Sequence, residues 1–179
     1  MRLFLAVDLP AKTKEELSRQ LQDLKREYTH FNWVSQENFH TTLVFLGERQ
    51  DDDIDLIKKK VEEAIFDINP FELYSLGAGL FLTNKLVLYI LLRREKALEE
   101  IAAKIKYNLQ LEDDKKYVPH ISIARTRVPS KQQYLHLKKK LHKLEIDIDF
   151  PVNKIHLFQS ILTGKKPEYK KIASFSLAK

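Results

Sequence analysis

Short apolar runs typical of β-strands alternate with amphipathic helical segments along the whole chain, and no linker separates them. Strands are predicted at residues 2–7, within TTLVFL, FELYSL, KLVLYILL and KYVPHISIAR, and in a C-terminal hairpin that turns at Gly164. Consecutive strands in this order must partly pair antiparallel, with the helices packed against them. The pattern therefore predicts the α+β class.

Four segments repeat apolar residues at helical spacing, and each has a candidate start. Thr13 and Glu16 have the spacing of a capping box, Asp52 or Asp53 can cap the second helix, and Ser130 can cap the fourth. The third helix is predicted from about Glu95 to Leu109. The apolar positions are Leu17, Leu21, Leu24 and Tyr28; Ile54, Ile57, Val61 and Ile65; Leu98, Ile101, Ile105 and Leu109; and Tyr134, Leu137, Leu141 and Leu144.

Composition excludes several classes of protein. The chain has 179 residues, enough for one domain with a sizeable core, and it has no cysteine. Disulfides, zinc–thiolate sites and cysteine nucleophiles are therefore excluded. The N-terminal apolar run is too short for a signal peptide, and no stretch approaches the roughly 20 apolar residues of a membrane span. We expect a cytoplasmic protein with no membrane contact.

The net charge of +6 and the isoelectric point near 9.3 have two interpretations. The lysine runs at 58–60 and 138–140 lie in helical segments, where lysines commonly form a solvated outer face. Contact with a polyanion such as a nucleic acid is the alternative that the sequence favours less. The sequence leaves both interpretations open.

Two strand-like runs begin with the same polar pair, a histidine followed two residues later by a hydroxyl residue. His40 directly precedes the run TTLVFL, in which Thr42 is the second residue. His120 lies 80 positions later and directly precedes the run ISIA, in which Ser122 is the second residue. Because side chains at i and i+2 point to the same face of a strand, each histidine shares a face with its hydroxyl partner. The repetition hints that the two halves of the chain are related.

These residue types suit acid–base chemistry on a phosphate. Histidine has an ordinary pKa near 6.5, so one imidazole can act as a general base and a second as a general acid near neutral pH. The two hydroxyls can donate hydrogen bonds to phosphate oxygens as charge develops on them. The structural alternative is that each histidine bonds a backbone carbonyl at the start of its strand. The symmetric pairing favours an active site.

At these residues the chain resembles the 2H phosphoesterase superfamily, which is defined by two His-x-Thr/Ser motifs. Within it the chain is most similar to the RNA 2′,3′-cyclic phosphodiesterases, also called LigT-like or 2′-5′ RNA ligase-like proteins. The resemblance covers nearly the whole chain. It rests on five ordered blocks, which are RLFLAVDLP, NWVSQENFHTTLVFLG, PFELYSLGAGLF, VPHISIAR and IHLFQSIL.

The resemblance implies one domain, residues 1–179, built of two pseudo-symmetric lobes. Each lobe would hold an antiparallel sheet with helices outside, and the two motifs would face each other across a central cleft. The implied reaction is hydrolysis of a 2′,3′-cyclic phosphate at an RNA end to a 2′-phosphate, without metal or other cofactor. His40 would be the proton donor and His120 the acceptor, although their roles could be exchanged, and Thr42 and Ser122 would hold the phosphate.

Three further residues are candidate substrate contacts. An arginine follows the second motif in many relatives, and Arg125 could pair with the phosphate. Strict alternation places it on the face opposite His120, so this role requires a bulge or strand end. Phe45 and Tyr117 could stack on a base, although Phe45 also has the wrong parity relative to His40. The family usually has an aromatic residue, often tryptophan, near Tyr89, so base recognition could differ here.

The expected substrate is an RNA or oligonucleotide with a 2′,3′-cyclic phosphate end. Three alternatives to this activity remain. The chain could be a phosphodiesterase or ligase for 2′-5′-linked oligonucleotides, or could act on a small cyclic nucleotide phosphate. It could be a non-catalytic RNA-binding module. A histidine metal site is disfavoured, because no carboxylate follows either motif at a ligating spacing. Nothing in the sequence requires an oligomer, so a monomer is expected.

Overall fold

The computed structural model describes residues 1–113 and 115–178. Strands and helices alternate along these residues, and two short 3-10 turns precede β3 and α3. The elements are β1 (Arg2–Asp8), α1 (Ala11–Gln20), α2 (Gln22–Glu27), β2 (Asn32–Trp33), β3 (His40–Glu48), α3 (Ile54–Ile65), β4 (Phe71–Leu82), β5 (Leu86–Leu92), α4 (Lys96–Asn108), β6 (His120–Thr126), α5 (Lys131–Lys143), β7 (Asp149–Val152), β8 (Lys154–Thr163) and β9 (Lys166–Ser176).

All the strand pairs are antiparallel, in the order β7-β4-β5-β6-β3-β1-β8-β9, with β2 beside the end of β6. The α+β class is confirmed. The two predicted sheets are the two halves of this arrangement, and they join at β3 and β6 through the single residue pair Thr41 and Ile121. The junction makes them one continuous sheet. The pseudo-symmetry of the two lobes stays a prediction.

One face of the sheet forms the main core. Leu3, Leu5 and Val7 of β1 are fully or almost fully buried on it, in one cluster with side chains from all five helices, among them Val61 and Ile101. The helices thus cover this face, as expected for apolar stripes that must leave water. The other face carries a small separate cluster of Phe4, Ala6 and Phe158 and is otherwise open.

The predicted helix starts are confirmed for α4 and α5. Glu95 precedes α4 and accepts a hydrogen bond from the Ala97 N–H, and Ser130 forms a capping box with Gln133 before α5. The predicted capping box of α1 is wrong. Pro10 with its fixed φ begins this helix, so Thr13 already lies inside it, and the helical segment divides at Leu21 into α1 and α2.

Helix α3 begins at Ile54 with Asp53 as its N-cap residue, as predicted, but the Asp53 side chain makes no capping hydrogen bond to the helix. A 3-10 turn at Asp51–Asp53 precedes the helix, and the Asp53 carboxylate accepts a hydrogen bond from the Gln50 N–H at 2.9 Å. Strand β6 begins later than the run KYVPHISIAR suggested, directly after Pro119, which has no N–H to donate to a ladder. Strand β7 was missed because only four residues, including a proline, form it.

Candidate active site

The junction of β3 and β6 brings the two motifs together. Thr41 and Ile121 are opposite each other, and both are fully buried on the core face. The side chains that flank them therefore project to the open face. Continuing the antiparallel register places His40 opposite Ser122 and Thr42 opposite His120. The predicted sharing of one face is confirmed, and the two histidines are diagonal neighbours across the junction.

Both imidazoles are held in the same way. His40 Nδ1 lies 2.7 Å from the Asn38 carbonyl oxygen, and His120 Nδ1 lies 2.7 Å from the Val118 carbonyl oxygen. Because a carbonyl oxygen can only accept, each Nδ1 bears the hydrogen and donates it. Each histidine thus bonds a backbone carbonyl through Nδ1, as the structural alternative predicts. The same bond leaves Nε2 of each neutral ring as the atom that exchanges protons.

The first histidine also contacts its hydroxyl partner. His40 Nε2 lies 3.0 Å from Thr42 Oγ1, so the threonine hydroxyl donates to the neutral imidazole when no substrate is present. A phosphate that enters between the motifs offers this hydroxyl a better, charged acceptor. The Thr42 hydroxyl can therefore move its hydrogen bond from His40 Nε2 to a phosphate oxygen.

The environment disfavours the charged form of both histidines. Burial lowers the pKa of His40 below its ordinary value, opposed by the hydrogen bond to Asn38 and by Asp8, and the charge of Arg125 lowers it further. Burial lowers the pKa of His120 in the same way, again assisted by Arg125. In the free protein the lower pKa values favour neutral imidazoles near pH 7.

A β-bulge brings Arg125 to the histidine face. Ser122 is paired with Tyr89 and Ala124 with Leu88, so Ile123 is an extra residue in β6. Ile123 and Ala124 are both fully buried, and Arg125 then emerges exposed on the side of His120. This is the bulge that the predicted role of Arg125 requires. It moves Arg125 from the face that strict alternation gives to the face of His120.

Strand β3 contains the same irregularity. Thr42 is paired with Ala6 and Val44 with Leu5, so Leu43 is the extra residue. Phe45 consequently lies on the face of His40, where it is 74% exposed and its ring centroid is 6.2 Å from that of Phe4. The parity objection to Phe45 is therefore wrong. Phe45 and Arg125 occupy the same position relative to their motifs.

Comparisons with known proteins agree with this geometry. Residues 7–89 match the family model described as LigT like Phosphoesterase. Two proteins named RNA 2′,3′-cyclic phosphodiesterase align over nearly the whole chain. The one from Thermotoga maritima is 28% identical over 95% of this chain and 92% of its own length. The one from Methanocaldococcus jannaschii is 29% identical over 96% and 98%. The chain is thus similar to the LigT-like phosphoesterases over residues 7–89 and to these two phosphodiesterases over nearly its whole length.

A solved structure is similar over the whole fold. The solved structure of TT0787 from Thermus thermophilus matches with a TM-score of 0.78 and 26% identity, and the match covers 99% of this chain and 98% of that one. The similarity thus extends over both halves of the sheet and includes the strands that bear the two motifs.

Tyr117 has a different position from the one expected for a base contact. Its hydroxyl donates a hydrogen bond to the Thr42 carbonyl at 3.1 Å, and its ring packs against the main core. Burial raises the pKa of this hydroxyl, so it stays protonated and keeps donating. The bond ties the segment before His120 to the strand of His40. This contact indicates a positioning residue and gives no support to base stacking.

Aromatic rings that the sequence did not reveal line both sides of the candidate site. The rings of Phe4 and Tyr169 each lie 5.2 Å from the His40 ring between centroids. On the other side, the centroids of Phe81 and Tyr89 are 5.0 and 5.6 Å from that of His120. Phe4 lies in the predicted strand at residues 2–7, where alternation places it on the face opposite Leu3 and Leu5, whereas Phe81 lies beyond the predicted run FELYSL, in the part of β4 that the sequence did not predict.

The Tyr89 ring crosses β4 at a glycine. Phe81 and Tyr89 stack with their centroids 4.0 Å apart, and a Cβ at Gly79 would lie 2.6 Å from the Tyr89 hydroxyl oxygen. Only glycine leaves this space. The aromatic platform beside His120 is therefore fixed by a residue of the neighbouring strand.

Two small cavities adjoin the motifs. One, of about 170 Å³, is lined by His40, Asp8, Tyr169 and Lys171 among others, and the other, of about 230 Å³, includes Arg125. Asp8 is paired with Lys14 at 2.7 Å and with Lys171 at 3.5 Å, so its negative charge is balanced. A further cavity, about 630 Å³ between the end of α2 and the start of α5, includes neither motif.

Within residues 1–113 and 115–178, no group of three or more histidine, aspartate or glutamate side chains is arranged to hold a metal ion. None of the helices in that part of the chain is both long and apolar enough to cross a membrane.

Proposed function

We propose that this protein hydrolyses a 2′,3′-cyclic phosphate at an RNA end to a 2′-phosphate. The observation that supports this best is the matched pair of imidazoles. Each bonds a backbone carbonyl through Nδ1, and each lies with a hydroxyl side chain on one open face. The relatives that align over nearly the whole chain bear the name of this activity.

In the proposed reaction, His120 Nε2 accepts a proton from a water molecule as its oxygen forms a bond to phosphorus. The bond from phosphorus to the 3′-oxygen breaks, and protonated His40 donates its Nε2 proton to that oxygen. Thr42 and Ser122 donate hydrogen bonds to the non-bridging oxygens. The two histidines could exchange roles, and the reverse reaction exchanges them by necessity.

Arg125 supplies positive charge at the same face. Its guanidinium lowers the pKa of both histidines, and it can pair with a phosphate oxygen. Phe45 and the Phe81–Tyr89 stack offer aromatic surfaces for the adjacent bases. These contacts are part of the proposal.

The chemistry alone does not exclude a 2′-5′-linked oligonucleotide, because the same four groups could act on a linear phosphodiester. Measuring turnover of both substrates distinguishes the two activities. We expect hydrolysis of an RNA oligonucleotide that ends in a 2′,3′-cyclic phosphate, much slower cleavage of a 2′-5′-linked oligonucleotide, and full activity in EDTA. Loss of activity in EDTA would contradict the metal-free mechanism, and turnover of neither substrate would favour the RNA-binding module.

The pH dependence follows from the burial of both histidines, with a further contribution from the charge of Arg125. Activity needs one protonated and one neutral histidine, so kcat/KM should be bell-shaped and should fall as the pH rises through the higher pKa. Because both pKa values are lowered, the optimum should lie below about 6.5. In Arg125→Gln the charge that lowers both values is lost, so the optimum should move to higher pH.

The measurement is a pH profile of kcat/KM with a cyclic mononucleotide for the wild type, Arg125→Gln and the control Arg127→Gln. Arg127 does not contribute to the pKa of either histidine. An optimum that stays in place in Arg125→Gln, or moves to lower pH, would contradict the assigned charge interaction.

A monomeric state, a cytoplasmic location and a division into two related lobes are further parts of the proposal. The matching bulges after Thr42 and Ser122 support the relation of the lobes.

A further inference from the structure

Helix α5 holds an unusual share of the positive charge. Its thirteen residues, KQQYLHLKKKLHK, include five lysines and no acidic residue, whereas the whole chain has a net charge of only +6. Helix α3 also has three consecutive lysines, but Asp55, Glu62 and Glu63 balance them. Helix α5 therefore has a net charge of +5, whereas none of the other four helices exceeds +1.

Two of these lysines are exposed and available. Lys138 and Lys139 form no ion pair within the described residues, whereas their neighbour Lys140 is paired with Glu27. Acidic residues resume only beyond the helix, at Glu145. A multivalent anion could therefore displace solvent at Lys138 and Lys139 without breaking an internal contact.

The lysines line a cavity that reaches the histidine face. This cavity, about 460 Å³ between α5 and β4, is lined by Lys138, Lys139, His142 and Tyr134, and also by Tyr89. Tyr89 is paired with Ser122, and its ring passes over Gly79 towards the helix. One aromatic side chain thus borders both the site of the chemistry and the basic cavity.

We propose that α5 binds the sugar–phosphate backbone of the RNA, several nucleotides away from the end held between His40 and His120. This inference rests on the proposed function, since it takes the RNA end to lie at the histidines. Lysines contact backbone phosphates without reading sequence, and Tyr89 and Tyr134 provide stacking surfaces between the lysines and the reacting end. A cyclic mononucleotide has no backbone to extend to α5.

The test compares a single-stranded RNA that ends in a 2′,3′-cyclic phosphate with a 2′,3′-cyclic mononucleotide. In the double variant Lys138→Gln/Lys139→Gln, kcat/KM for the RNA should fall about tenfold at low salt. The slope of log kcat/KM against log salt should become shallower by about 1.4, which corresponds to two lost phosphate contacts. Turnover of the mononucleotide should be unchanged.

The matched control is Lys58→Gln/Lys59→Gln on α3, which removes the same amount of charge from another helix. It should leave both substrates unchanged. An unchanged RNA value in the α5 variant would overturn the proposal, and so would equal losses in both variants, because the effect would then follow net charge alone.

Binding separates this inference from the proposed function. If the wild type hydrolyses neither substrate, the proposed function fails, and fluorescence anisotropy with a labelled RNA that ends in a 3′-hydroxyl still tests α5. Weaker RNA binding in the α5 variant only would support RNA binding by α5. Equal RNA binding in the wild type and both variants would overturn it.

Discussion

Replacing either His40 or His120 by alanine should lower kcat for a 2′,3′-cyclic phosphate by about 10²–10⁴-fold, the usual contribution of a positioned acid or base. Each imidazole is held by one backbone carbonyl, so its loss removes a proton-transfer group without breaking a larger network. Because the two groups act in one step, the double variant should be little worse than either single variant.

Kinetics with a cyclic mononucleotide and thermal unfolding of the same samples check this prediction. His30→Ala is the control, since His30 is exposed in a loop and packs against Phe31, and it should retain full activity. If the His40→Ala and His120→Ala variants remained folded and lost less than tenfold of kcat, acid–base catalysis by this pair would be refuted.

Removing the hydroxyls should have the next largest effect. Thr42→Val and Ser122→Ala should each lower kcat on the order of 10²-fold, the typical cost of losing one donor to developing negative charge. Ser122→Thr should retain activity, because the hydroxyl remains. The loss should be in kcat more than in KM, since these bonds strengthen in the transition state.

Thr41→Val is the matched control for the hydroxyl series. Thr41 lies next to Thr42 but on the core face, and its buried Oγ1 has no hydrogen-bond partner among the described residues. Its replacement should leave kcat unchanged and should not reduce stability, because an unsatisfied buried hydroxyl is removed. Equal losses in Thr41→Val and Thr42→Val would show that the strand, and not the hydroxyl, is responsible.

The sequence predicted the central geometry because it depends on strand alternation. Burial of Thr41 and Ile121 on the core face, with the flanking histidines on the other face, follows directly from a period of two. The class of fold and the apolar faces of the helices were equally accessible, because apolar spacing records which side of an element leaves water.

The positions of Phe45 and Arg125 could not be predicted in this way. Each lies after a bulge, at Leu43 and at Ile123, and an extra residue in one strand is visible only once its partner strand is known. The adjacent apolar pairs, Leu43 with Val44 and Ile123 with Ala124, are the only local signal. The close contact of the Tyr89 side chain with Gly79 is likewise a contact between strands, so the sequence alone could not predict it.

The identity of the product tests the central claim most directly. A 2′,3′-cyclic mononucleotide and an RNA that ends in a cyclic phosphate should be incubated with the protein, and the products assigned by phosphorus nuclear magnetic resonance. The account predicts a 2′-phosphate as the sole product of both. A 3′-phosphate, or no reaction with either substrate, would contradict it.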